Sequence, residues 1–127
     1  MKESEKFQRG LAYFNARQFF EAHEAWEELW LVEPEPEKAF LQGLIQLAAA
    51  FHHYGRGNLR GARSLLAAGI AKLANFPDDH RGLALAELRA EAEQWAKMLE
   101  GGKGPGKKRP PRIQLVAGAG RKRKRGG

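Results

Sequence analysis

Apolar positions recur along this chain at helical spacing in five successive stretches, separated by short segments rich in glycine, proline and asparagine. Phe7, Leu11 and Phe14 fall at i, i+4 and i+7 and predict a first helix from Lys2 or Glu3 to about Asn15. Asn15 tolerates the left-handed conformation that ends many helices, so Asn15-Ala16-Arg17-Gln18 reads as a tight turn. Phe19, Ala22, Trp26 and Leu29 then form the core stripe of a second helix, Phe19 to about Leu31, packed antiparallel to the first. Glu33-Pro34-Glu35-Pro36 ends it, because each proline lacks a backbone donor and biases its predecessor away from helix.

The third stretch, Glu37 to Gly55, organises the rest. No charged residue occurs between Lys38 and Arg56. Phe40, Leu44, Leu47, Phe51 and Tyr54 share one face of a helix and Leu41, Ile45 and Ala48 widen the arc, so this element is expected to be buried on most of its circumference. Gln42, Gln46 and His53 interrupt it as one narrow polar stripe. Two glutamines, two histidines and Gly43 make it a poor membrane span. Asn58 is placed to cap a fourth helix carrying Leu59, Ala62, Leu66 and Leu73. A fifth, from about Asp79 to Glu100, carries Leu85, Leu88, Ala92, Trp95 and Leu99, with Asp78 and Asp79 near its positive end.

Residues 13–22 echo residues 53–62 at an offset of 40: an aromatic residue, a tight turn, then a large apolar residue and a small alanine on the next helix. Two such units are too few for a solenoid. The expected fold is therefore an all-α bundle of about five helices arranged as helical hairpins, residues 1–100, followed by a disordered basic C-terminal tail, 101–127.

Charge changes the picture only at that tail. The chain of 127 residues carries a net charge of +7, but ten of its 22 Lys and Arg residues lie in 101–127 with no acid among them. The helical part holds 12 basic against 15 acidic residues. Lys107, Lys108, Arg109, Arg112, Arg121, Lys122, Arg123, Lys124 and Arg125 form a candidate contact surface for RNA or DNA, sequence-independent and salt-sensitive. No aromatic residue is interleaved with them for stacking on bases. The chain contains no cysteine and its first residues hold no apolar targeting core, so a cytoplasmic protein with no membrane partner is expected.

Chemistry-bearing residues concentrate in Phe20-Glu21-Ala22-His23-Glu24-Ala25-Trp26-Glu27-Glu28-Leu29-Trp30. His23 and Glu27 are four apart and share a flank, with Glu24 beside them and Trp30 at the edge. If this flank meets the stripe of Gln42, Gln46 and His53, the two helices enclose a polar cluster. It can serve as a pocket for a small polar ligand, as a divalent-metal site using His23, Glu27 and His53, as an acid/base site, or as a hydrogen-bond network that fixes helix register. The zinc-protease pattern needs His where Glu27 stands, and no Ser, Cys or Lys nucleophile accompanies the carboxylates. No cofactor is required by these residues. A non-enzymatic binding module is the first reading and a metal-assisted hydrolase using His23, Glu24, Glu27 and His53 the alternative. His52 and His80 find no partner in the pattern.

Taken together, Gly10-Leu11, Phe14-Asn15, the run from Phe19 to His23-Glu24 with Trp26-Glu27 and Trp30, Phe40-Leu41-Gln42-Gly43-Leu44-Ile45-Gln46, and Gly57-Asn58 with Gly61-Ala62 resemble the bacterial and archaeal proteins grouped as domain-of-unknown-function family 309. The resemblance covers about residues 5–75 and implies a compact all-helical domain. It implies no reaction or cofactor. Any shared role would fall on Glu21, His23, Glu24, Trp26, Glu27, Trp30, Gln42, Gln46 and Asn58, while the basic tail lies outside it.

Overall fold

A charge-free stretch must find apolar neighbours on nearly every side, and the computed structural model provides them. It describes residues 3–101 and 108–116. Five α-helices occur in order: α1 (Glu3–Asn15), α2 (Phe19–Trp30), α3 (Glu37–Gly55), α4 (Leu59–Leu73) and α5 (Leu85–Glu100), with no strand among the described residues. The central helix α3 buries Phe40, Leu41, Leu44, Leu47, Ala48 and Phe51. It packs against α4 on one side and α2 on the other; α1 covers α2, and α5 closes on α4.

Two glycines let α3 and α4 approach closely. A Cβ on Gly69 would stand 3.0 Å from the Gly43 carbonyl oxygen, and one on Gly43 would stand 2.8 Å from the Leu73 side chain. The other side of α3 meets an aromatic core. Phe14 sits edge-on to Phe19 at 5.0 Å and to Phe51 at 6.1 Å, and Phe51 edge-on to Trp95 at 5.2 Å. Such T-shaped pairs put positive ring edges on negative faces. Trp26, fully buried, lies against Gly10 and donates its indole N–H to the Phe7 carbonyl at 3.2 Å.

The echo between residues 13–22 and 53–62 is a repeated turn. Gln18 N–H donates to the Tyr13 carbonyl and Asn58 N–H to the His53 carbonyl, each at 2.9 Å. The two next helices then open alike, Ala22 N–H on the Gln18 carbonyl and Ala62 N–H on the Asn58 carbonyl, each at 3.0 Å. Asn58 caps α4 as its sequence position predicts, accepting from Gly61 N–H at 3.0 Å. In each turn one residue has positive φ: Gly57 (84°) and, forty positions earlier, Arg17 (69°). The left-handed residue of the first turn is thus Arg17, not Asn15. A side chain there costs roughly 1–2 kcal/mol relative to the right-handed region. Arg17→Gly is therefore expected to leave stability unchanged or raise it by up to about 1 kcal/mol, the glycine's greater unfolded-state entropy offsetting part of the gain. A lower urea midpoint for this variant would show that Arg17 contributes contacts beyond the turn.

The fifth helix starts later than its periodicity suggests. Residues His80–Gly82 form a 3₁₀ turn in which Arg81 (φ 56°) and Gly82 (φ 77°) are left-handed, which no continuous helix accommodates. The chain restarts as helix at Leu85, whose N–H donates to the Asp78 carbonyl at 2.9 Å. This turn is pinned to the start of α3. His80 Nε2 lies 2.7 Å and Arg81 Nη1 3.3 Å from the Glu37 carboxylate, and Arg81 covers the Phe7 ring at 4.2 Å.

The described part of the C-terminal extension, 108–116, is not a free tail. It runs across the bundle as a strap, with Pro111 and Ile113 buried. Asn15 clamps it, accepting from Ile113 N–H at 2.7 Å and donating to the Ile113 carbonyl at 2.9 Å. Trp95 donates its indole N–H to the Arg109 carbonyl at 3.2 Å, and Ala84 and Val116 N–H groups pair with the Gln114 and Gly82 carbonyls around an antiparallel bridge between Leu83 and Leu115. Backbone pairing and one apolar anchor override a composition that predicts disorder. Lys107 and Arg121 to Arg125 lie outside the described residues.

Candidate functional site

The helical repeat of α2 sends Phe19, Ala22, Trp26 and Leu29 into the core, which leaves its remaining residues to face α3, α1 or solvent. The structure divides the expected polar cluster among those directions. His23 is half-buried with a fully covered Nδ1, and Gln46 on the opposing α3 is half-buried with a fully covered Oε1. Among the described residues neither atom has a hydrogen-bond partner. Both belong to helices that pack directly on each other.

The other members separate. Glu24 turns toward α1, where it lines a shallow groove with Lys6, Arg9 and Glu28. Glu27 is exposed and makes no ion pair among the described residues. Trp30 is engaged from the linker side: the Lys38 ammonium lies 4.1 Å from its ring centroid and also donates to its carbonyl. Gln42 is half-buried. His53 faces the α3–α4 turn, its Nδ1 3.2 Å from the Asn58 side-chain amide. His23, Glu27 and His53 are not assembled as metal ligands, and among the described residues no three His, Asp or Glu side chains are.

Two residues that the sequence pattern passes over complete the α2–α3 seam. Phe20, 46% exposed, stacks on the His23 ring at 6.0 Å and contacts the His52 ring at 5.4 Å. An exposed aromatic bridging two imidazoles from two helices is a contact surface rather than a core element. The signal available in sequence was Phe20 beside Phe19: only one of two adjacent aromatics on a surface helix can face the core.

A second cluster lies where the strap crosses the α1–α2 turn. Arg17, Lys108, Arg109, Arg112, Trp95 and Gln114, with Glu91, line a cleft of about 210 Å³. The Arg17 guanidinium is pulled below its ordinary value, first by burial and then by the like charges of Arg112 and Arg109. Glu91, Arg112 and Gln114 also line a neighbouring cleft of about 730 Å³ together with Asp78, Asp79 and Glu87, so Arg112 stands between the basic cluster and an acidic one.

The segment that builds the seam, from α1 through the first turns of α4, coincides with a family match. The family described as "Domain of unknown function (DUF309)" matches residues 7–65. Residues 7–65 belong to the DUF309 family. Over 94 residues the chain is 34% identical to an uncharacterized protein of Aquifex aeolicus (strain VF5), covering 73% of this chain and 28% of that protein. Over 62 residues it is 44% identical to the uncharacterized protein YpuF of Bacillus subtilis (strain 168), covering 47% of this chain and 36% of YpuF. The chain thus spans about a third of these relatives or less. The DUF309 segment contains His23, Phe20, Gln46 and His52 but not the strap. Among the described residues no helix is long and apolar enough to cross a membrane.

Proposed function

We propose that this protein is a non-enzymatic binding module that receives a small polar ligand at the α2–α3 seam. The observation that carries this reading is the pair of covered, unpartnered atoms, His23 Nδ1 and Gln46 Oε1, one on each of the two packed helices. Leaving a covered polar atom unpaired costs about 1–3 kcal/mol. A ligand offering a donor to the Gln46 oxygen and either role to the imidazole removes that cost, and Phe20 with His52 supplies an aromatic rim. Hydrolytic chemistry through His23, Glu24, Glu27 and His53 is less well supported, because these side chains point in different directions.

The test is a thermal-shift screen of the full chain against divalent metals, nucleotides and small polar metabolites, run on wild type and Gln46→Leu. Leucine removes the unpaired oxygen at similar volume, so the variant is expected to melt at the same or a higher temperature without ligand. A ligand at a hundred times its Kd adds about 2.7 kcal/mol of stability to wild type. The expected result is a compound that shifts wild type and not Gln46→Leu. A more stable variant with no compound acting on either protein would reject the reading.

A second reading concerns the extension, which we propose binds RNA or DNA through its phosphates. What favours it is that Lys108, Arg109 and Arg112 are held on the folded surface rather than left to a flexible chain. Each phosphate contact adds to the salt dependence of binding. Replacing Arg121, Lys122, Arg123, Lys124 and Arg125 together by glutamine should flatten the slope of log affinity against log salt without abolishing binding. Complete loss would confine binding to those five residues.

A further inference from the structure

We infer that Arg17, Arg109 and Arg112 together form a site for a phosphate group, carried by a small phosphate compound or by a nucleic acid. The inference rests on the second reading above and sharpens it: the helical body, not the extension alone, supplies one of the ligands. Three independent features of the fold converge there. Arg17 is projected from the left-handed position of the α1–α2 turn, with its Nη1 3.4 Å from the Asn15 carbonyl. The same Asn15 fixes Ile113, next to Arg112, through its side-chain amide. Trp95 fixes Arg109 through the backbone carbonyl, leaving the guanidinium to the surface. Pro110 and Pro111 between the two arginines stiffen the strap, so little rotational freedom is lost when a ligand engages it.

The electrostatics point to an anion. Four cationic side chains and one carboxylate, Glu91, line the cleft, and among the described residues none of Arg17, Arg109 and Arg112 forms an ion pair. Like charges held together by neutral anchors repel each other, and a bound phosphate relieves this. Guanidinium forks match the oxygens of phosphate in geometry as well as charge. The cleft's one indole, Trp95, is fully buried and presents no face for a base, so the site recognises the phosphate.

The experiment is isothermal titration of the full chain with inorganic pyrophosphate, and fluorescence anisotropy with an oligonucleotide bearing or lacking a 5′-phosphate. The proteins are wild type, Arg17→Gly, Arg112→Ala and the control Arg63→Ala, which removes an exposed charge from α4. Arg17→Gly is the informative variant because glycine suits that φ and the fold is retained. Pyrophosphate should bind wild type and weaken at least tenfold in Arg17→Gly and Arg112→Ala, with Arg63→Ala near wild type. Oligonucleotide binding that weakens in Arg17→Gly and is competed by pyrophosphate identifies a nucleic-acid source, a terminal phosphate if the 5′-phosphate tightens it and a backbone phosphate if not; pyrophosphate binding that depends on Arg17 while oligonucleotide binding does not identifies a small phosphate compound. Equal losses in Arg17→Gly and Arg63→Ala would overturn the site as diffuse attraction. Pyrophosphate and oligonucleotide binding both indifferent to Arg17 and Arg112 would overturn the site and leave nucleic-acid binding by the extension standing. Wild type that binds neither probe would overturn both.

Discussion

Asn15→Ala is expected to lower the unfolding free energy by about 2–4 kcal/mol and to release the strap. The side-chain amide is the only group that bonds both the N–H and the carbonyl of Ile113 among the described residues. Two such bonds contribute about 0.5–1.5 kcal/mol each. Ile113 is 4% exposed and joins the core, so its release adds about 1.5–3 kcal/mol of lost apolar burial, part of which the strap's regained freedom offsets. Urea denaturation measures the loss. Limited trypsin digestion measures the release, since the bonds after Lys108 and Arg112 become cleavable, while Arg109 precedes a proline and resists. A variant with full stability and a protected strap would mean that the Leu83–Leu115 bridge and Trp95 hold the segment by themselves.

Gly10→Ala is expected to cost about 2 kcal/mol despite alanine's better helix propensity, which returns about 1 kcal/mol. The added Cβ would stand 2.1 Å from Trp26 Nε1 and 2.4 Å from its Cε2. Trp26 has no room to retreat, being fully buried between Phe7 and Phe14, and moving it breaks the bond to the Phe7 carbonyl. Overpacking of this kind costs about 1–3 kcal/mol before the bond is counted. In a Trp26→Phe background, where the ring is smaller and makes no such bond, the same glycine substitution should cost much less. Equal costs in the two backgrounds would place the strain elsewhere.

Periodicity carried the helical part of this fold because five amphipathic stripes and their punctuation act within one or two turns of sequence. The charge-free run at Lys38–Arg56 revealed the buried centre, and Asn58 revealed a cap. What escaped is long-range. Asn15 looks like a helix-ending residue, yet its amide serves Ile113, 98 positions away. His80 has no local partner and finds Glu37 from 43 positions away. The start of α5 was misplaced because Arg81 adopts a conformation its residue type disfavours. At the seam, His23 and Gln46 lie on helices that pack together, but helical phase could not show that Trp30 is taken by Lys38, that Glu24 turns to α1, or that Phe20 reaches His52.

The clamp at Asn15 also orders events during folding. Its partner lies 98 positions later, so closing it requires a long loop, whereas each helical hairpin closes over a few residues. Chains emerging from synthesis can complete α1 to α4 while Ile113 is still unmade. The strap is then a late latch, and the basic cleft it builds with Arg17 forms only after the helices that carry it are in place.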